Sequence, residues 1–402
     1  MLRVGFGDCF LVTLPTAEGP RHILVDCGVH SKGNIKAADG TSLIEKAVEN
    51  IADVTGKKLA IVIATHPHQD HISGFGSFAK QFGEFTEIGE VWMPWTEDPN
   101  SKLATSLRNK RVALVSRLQA HFAALGISDD AGPAAAVANM AGNAPAFQAL
   151  HSGFGLGAKI QYLTANDVLK EPAGIKGLTV SILGPPTDQA FLSRMDPPAN
   201  DHYLRLAGGQ PGDGSKVEPF ETRWSFPQPN STFEWPELPE AYRNELKERA
   251  NSPAEELAFA LDQCVNNCSI VALFSYQGRN LLFPGDAQYG NWKSWLEAGD
   301  SSTQLSEICF YKVSHHGSVN ATPKEALEKM PDSKFAAMMS TQDHPWPSIP
   351  APGLVAALDR KTGEKWVRSD CIPIAGAPSA PQGTKVPAVF QQGDFWFDYV
   401  LP

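Results

Sequence analysis

The run His66-Pro67-His68-Gln69-Asp70-His71 places three imidazoles and a carboxylate within six residues, in a chain with only eleven histidines. Imidazole nitrogen and carboxylate oxygen are the common protein donors to zinc, manganese and iron. The spacing lets one turn serve two adjacent metal positions. A loop of hydrogen-bonded histidines is the alternative, but desolvating so many polar groups without a cation is costly. A divalent ion held there would lower the pKa of a bound water from about 16 to near 7, which is hydrolytic chemistry. Other chemistries lack their signatures: the chain has no phosphate-cradling GxxxxGK[ST] loop and no Gly-x-Ser-x-Gly elbow.

Such ligands need a rigid element behind them. Leu59 to Ala64 is an unbroken apolar run that reads as a strand buried on both faces, and it ends at Thr65 and the cluster. Cys9–Leu14 and Arg21–Val25 read as a hairpin turning at Glu18-Gly19-Pro20, and Ser42–Val54 as a helix with Leu43, Ala47, Ile51 and Val54 on one face. Ala104–Leu125 and Glu240–Leu261 have helical character, and Leu178–Leu183 reads as a strand. A second hairpin, Ser269–Tyr276 and Asn280–Phe283, leads to Gly285-Asp286. The strand Ile308–Val313 leads to Ser314-His315-His316-Gly317. Thr322-Pro323-Lys324-Glu325 reads as a capping box opening a helix. Phe335–Ser340, Lys365–Arg368 and Phe395–Val400 are further strands. Each half thus offers a hairpin, a helix and a strand delivering histidines, which predicts two sheets with helices outside and the site along their shared edge. The chain reads as one domain over 1–402, interrupted by an irregular Pro- and Gly-rich insertion at 195–239.

The histidine run resembles the signature of the metallo-β-lactamase superfamily. Gly5-Phe6-Gly7-Asp8-Cys9, Leu24-Val25-Asp26-Cys27-Gly28, Asn266 to Val271, Phe283-Pro284-Gly285-Asp286, Lys312 to Ser318, Asp343-His344-Pro345 and Val367-Arg368-Ser369-Asp370 together resemble the hydrolase domain of the DNA-uptake protein ComEC and its soluble relatives. The resemblance implies a four-layer αββα sandwich holding one or two divalent ions, zinc or manganese. It implies that His66 and His68 hold the first metal, Asp70 and His71 the second, and that Asp286 bridges them. Either His315 or His316 completes the second site, and the other could protonate a leaving group; Asp70 orients the nucleophile or takes its proton. Many superfamily members carry one more metal histidine before the bridging aspartate. Here only His121, His151 and His202 lie in that interval, none at a strand end.

Around this set, Asp26 either accepts the outer N–H of a signature histidine or forms the turn before Gly28. Asp8 reads as a structural turn residue. Asn267 either supports the loop of Asp286 or meets substrate, and His344 is a packing or a substrate residue. Trp92, Trp95, Trp224, Trp235 and Trp346 are core, rim or stacking residues.

The net charge of −10 argues against a surface that coats nucleic acid, and mildly against a nuclease gripping duplex. The six cysteines form no CxxC pair and read as reduced thiols. No run approaches the roughly 18 apolar residues of a membrane helix, and no apolar signal core opens the sequence, so the cytoplasm is the expected address. Phosphodiester hydrolysis, including that of nucleic acid, is the first expectation. Hydrolysis of a lactone, thioester or other small acyl compound is the second, and a metal-bearing interaction module the third. An open basic groove would favour a polymer, a closed apolar pocket a small substrate.

Overall fold

In the strand Gly19–Cys27, Ile23 and Val25 point to one side, Leu24 and Cys27 to the other, and all four are buried. A sheet with two buried faces must be covered twice, and the rest of the chain supplies the covers. The computed structural model describes residues 1–124, 126, 132–194, 253–297, 301–344 and 346–402. The proposed insertion at 195–239, with Trp224, Trp235 and His202, lies outside them, as do 240–252 of the expected helix.

The first sheet runs β1 (Cys9–Thr16), β2 (Gly19–Cys27), β3 (Lys58–Ile63), β4 (Glu87–Pro94) and β5 (Lys159–Leu163) in spatial order. The β1–β2 hairpin is antiparallel and the remaining pairings are parallel. The second sheet carries seven strands: β6 (Val168–Lys170), β7 (Thr179–Gly184), β8 (Val271–Tyr276), β9 (Arg279–Phe283), β10 (Ile308–Lys312), β11 (Ala336–Met339) and β12 (Trp366–Arg368). Its β6–β9 half is antiparallel and its β9–β12 half parallel. A short hairpin, β13 (Phe390–Gln392) with β14 (Phe397–Tyr399), closes the chain.

Between the sheets lie Phe10, Ile23, Val25, Ile61, Ile63 and Trp92 against Val180, Phe274, Phe283, Phe310 and Met338. The outer face of the first sheet, with Leu24, Val62 and Ala64, is covered by Ile44, Ala47, Val48 and Ile51 of helix Leu43–Thr55, which Ser42 caps. The outer face of the second sheet, with Leu273, Leu282, Tyr311 and Met339, is covered by Trp292, Trp295, Leu354 and Leu358. The layers are therefore helix, sheet, sheet, helix, which is the αββα sandwich. The two halves repeat one plan. Asp26 ends β2 as Asp286 follows β9, and the histidine run follows β3 as His315-His316 follows β10.

Helices Lys102–Ala124, Gly132–Met140 and Pro253–Asn266 form a separate apolar cluster through Leu114, Leu118, Val137, Leu257, Leu261 and Val265. No helix among the described residues is long and apolar enough to cross a membrane. All six cysteines are free. One expectation fails locally: Thr322 caps no helix. Its hydroxyl bonds the Tyr311 hydroxyl at 2.8 Å, the helix spans Lys324–Lys329, and Glu325 pairs with Lys293 and Lys329 instead. A buried phenol competes successfully for the capping oxygen.

Candidate metal centre

The parallel register of β2 with β3 brings the end of one strand beside the start of the next loop. There Asp26, at φ 56°, turns its carboxylate under the signature: Oδ1 accepts from the Thr65 amide and Oδ2 from the Thr65 hydroxyl, both at 2.7 Å. Oδ2 also lies 2.7 Å from His71 Nδ1. Helix Gln69–Ser77 starts inside the signature and presents Asp70 and His71 from its first turn. It packs so close to the hairpin that a Cβ at Gly28 would lie 2.4 Å from the His71 backbone. The second sheet supplies the opposite wall. His315 and His316 both occupy left-handed backbone, at φ 44° and 54°, which throws successive side chains to different sides of the turn. Left-handed non-glycine residues are strained and gather at functional sites.

Asp70, His71, Asp286 and His316 converge, each offering a ligand atom within 4.8 Å of the others. His71 Nε2 is 3.0 Å from Asp286 Oδ2, and His316 Nε2 is 3.1 Å from Asp70 Oδ2 and 3.2 Å from Asp286 Oδ2. His316 Nδ1 donates to the Ser340 carbonyl at 2.8 Å. Beside them, His66 Nε2 faces His68 Nδ1 at 3.0 Å. His316 is thus the member of its pair that joins the cluster. His315 stands on the open side, with Nδ1 3.1 Å from Gln288 Nε2 and Nε2 3.4 Å from Asn266 Nδ2.

Several partners escaped the sequence reading. Lys312 is buried, with Nζ 2.5 Å from Asp8 Oδ2 and 3.1 Å from Asp286 Oδ1. Asp8 is therefore part of the centre's charge balance and not only a turn residue; its Oδ1 also lies 3.7 Å from His316 Nδ1. A lysine inside the apolar run Ile308–Val313 was the available signal, because a buried lysine needs a carboxylate. Asn139 donates to Asp70 Oδ1 at 2.9 Å and accepts from the Asp70 amide at 3.2 Å. Asp262 reaches His68 Nε2 at 3.4 Å. Neither residue carries any local motif.

Other candidates sit elsewhere. Asn267 is buried and accepts from the Gln288 and Asn291 amides while donating to the carbonyls of Leu192 and Arg194, so it braces the segment after Asp286. His344 is exposed. His121 lies in the last turn of helix Lys102–Ala124, and His151 bonds Tyr162 at 2.7 Å. Trp92 lies in the core and Trp95 donates to the Pro186 carbonyl, whereas Trp346 lines the cleft edge-on to Phe6.

Charge in the centre is strongly polarised. Burial pushes the Asp70 carboxyl up, but His71 and His316 outweigh it and hold it well below the usual range. Asp286 is depressed in the same way by His71, His316 and Lys312. Burial lowers His71, yet the surrounding carboxylates, Asp286 foremost, raise it well above its ordinary value, and His316 rises to about 10 for the same reason. Burial takes His66 well below its ordinary value, His68 to about 3 and His315 to about 4. Asp262 is pushed well up by burial and by Asp70 and Asp286.

These residues fit a divalent metal. The donors are nitrogen and carboxylate oxygen throughout. The buried, inward-facing nitrogen His71 Nε2 makes no hydrogen bond, although carboxylates crowd it. Each clustered histidine also has an outer partner of the kind that fixes a metal-binding ring. Above the centre lies a cavity of about 370 Å³, walled by Phe6, Phe259, Trp346 and Ile349, with Asn139, Gln288 and Asn320 among its polar groups.

The sequence matches none of the curated proteins compared with it. Residues 2–116, the segment that builds the first hairpin and the histidine run, match the family model for the Metallo-beta-lactamase superfamily.

Proposed function

We propose that the protein is a metal-dependent hydrolase acting on a small acyl substrate of low charge, such as a lactone, thioester or simple ester. One observation carries the choice of substrate: among the described residues lining the cleft there is no lysine or arginine, while Asp70, Asp262 and Asp286 all face it. Outside the metal position, a polyanion would find no lysine or arginine among the described lining residues to hold its phosphates. Around the metal position, the aromatic, aliphatic and amide side chains Phe6, Phe259, Trp346, Ile349, Asn139, Gln288 and Asn320 suit a compact substrate. This favours the acyl reading over the phosphodiester and nucleic-acid readings. An ion bound at the centre would supply an activated water near neutral pH.

The chain's own residues divide the remaining work. His66, His68, Asp70, His71, Asp286 and His316 would hold the metal, one or two ions of zinc or manganese. Asn139 holds Asp70 in place by donating from Nδ2 to Asp70 Oδ1. His315, held neutral near pH 7, offers the cleft a hydrogen-bonding ring beside the reacting group. Asp26 fixes the His71 ring through Nδ1.

The test is a substrate panel on protein loaded with zinc or with manganese. It should contain an aryl acetate, a lactone, a thioester, an aryl phosphodiester and single-stranded DNA. Acyl hydrolysis lost on chelation is the expected result. Faster cleavage of the phosphodiester or of DNA would overturn the substrate assignment, and activity that survives chelation would overturn the metal.

A further inference from the structure

Three histidines of the centre follow one rule. His66, His71 and His316 turn Nε2 inward and give Nδ1 to an outer group: the Thr65 hydroxyl at 3.2 Å, Asp26 at 2.7 Å and the Ser340 carbonyl at 2.8 Å. His68 is reversed. Its Nδ1 is the inward nitrogen, 3.0 Å from His66 Nε2, and its Nε2 points away. That outer nitrogen is buried and makes no hydrogen bond, yet it faces Asp262 Oδ1 at 3.4 Å.

Asp262 arrives from outside both sheets. Leu257, Leu261 and Val265, four residues apart on helix Pro253–Asn266, pack into the three-helix cluster. That packing fixes the helix's rotation and sends the adjoining ridge, Asp262 and Asn266, toward the centre. Asn266 Nδ2 reaches Asp262 Oδ2 at 3.4 Å, so one carboxylate oxygen is held by the helix itself and the other is left for His68.

We infer that Asp262 is a positioning residue. It accepts the Nε2–H of His68, fixes that tautomer, and so presents Nδ1 beside His66 Nε2 as the nitrogen pair of a first divalent-metal position. That position is distinct from the Asp70, His71, Asp286 and His316 group. The assignment rests on the metal-centre reading above. It also gives the helical cluster a role, since no strand carries this carboxylate. A carboxylate on the outer nitrogen of a ligating histidine orients the ring and raises its basicity, and its loss typically costs metal affinity.

The experiment uses the full chain, stripped and then titrated with zinc, as wild type, Asp262→Ala and Asp262→Asn. Zinc stoichiometry and affinity come from competition with a chelating dye, and long-range proton–nitrogen spectra of the loaded protein report which nitrogen of His68 carries the proton. The wild type should show His68 with Nε2 protonated and Nδ1 on the metal. Asp262→Ala should weaken the more loosely held zinc by roughly 10–100-fold. Asp262→Asn, isosteric and still able to accept the Nε2–H through its amide oxygen, should recover most of that loss and keep the melting temperature. Coordination of His68 through Nε2, or an unchanged zinc affinity in Asp262→Ala, would overturn the assignment. Wild type that takes up no zinc would remove the metal centre altogether. Wild type that binds zinc while both variants match it would remove only the role of Asp262.

Discussion

Lys312 Nζ engages one oxygen of Asp286, Oδ1 at 3.1 Å, and leaves the other, Oδ2, to His71 and His316. The ammonium also holds Asp8 at 2.5 Å. Asp286 therefore offers the centre one free oxygen in a fixed direction. Replacing Lys312 by Met would bury two carboxylates with their shared cation gone. Breaking a buried pair in this way costs about 3–5 kcal/mol. Denaturant unfolding of the stripped protein should show a loss of that order, and a loss below about 1 kcal/mol, the scale of an exposed pair, would mean that the lysine is not balancing these charges.

His315 and His316 should separate cleanly in mutagenesis. His316→Ala removes a group that touches Asp70 and Asp286, so metal stoichiometry should fall and activity with it. His315→Ala should keep its metal and lose rate on the order of 10²-fold, the low end for a positioned proton-handling group. Metal analysis beside kcat for both variants checks this. Equal metal loss in the two would contradict the division of the pair.

The stripped protein should have a narrow pH optimum of stability. His316 is raised to about 10, so its contribution is complete below about 6.5 and is lost as pH climbs toward 10. His315 is lowered to about 4. In the interval between about 4 and 6.5 the unfolded chain takes up its proton first, and stability falls as pH drops through that range. Melting temperature of the metal-free protein should peak near pH 6–7. An optimum above pH 9 would contradict the protonated His316.

Asp26→Asn should leave the fold intact and weaken metal binding by roughly 10–100-fold, because Asp26 accepts through both oxygens, from the Thr65 amide on one and from the Thr65 hydroxyl and His71 Nδ1 on the other, and an amide has only one accepting oxygen. Zinc titration of the variant measures it directly. Full retention of affinity would reduce Asp26 to a turn residue.

The strands around the site were legible because their apolar runs and turns are local signals. β3 and its histidines, and β10 and its pair, stand where the pattern of residues puts them. The inward member of the pair was not legible, because two successive left-handed residues decide it and no periodicity encodes that. Asp8 and Lys312 stayed hidden for another reason: 304 positions separate them, and only the packing of both sheets makes them one ion pair. Asn139 and Asp262 lie on helices whose apolar faces are readable, but which helix docks over the centre is a tertiary matter. The substrate expectation shifted for the same reason. The chain's net charge is a sum over the surface, whereas the lining of one cleft depends on which residues meet there.

The repeated plan of the two halves has a mechanical consequence. The first sheet contributes Asp70 and the second His316, 246 positions away, and the two meet at 3.1 Å. An ion held by both is a further cross-link between halves already joined by side-chain packing and by the Lys312–Asp8 ion pair. Closing a loop of even 100 residues is worth roughly 5 kcal/mol when the link is permanent, and a reversible ion would supply a share of that while it stays bound. Chelation should then do more than silence the centre. It should unfasten the seam between the sheets, so that amides of β3 and β10 exchange with solvent faster while those of the outer helices change little.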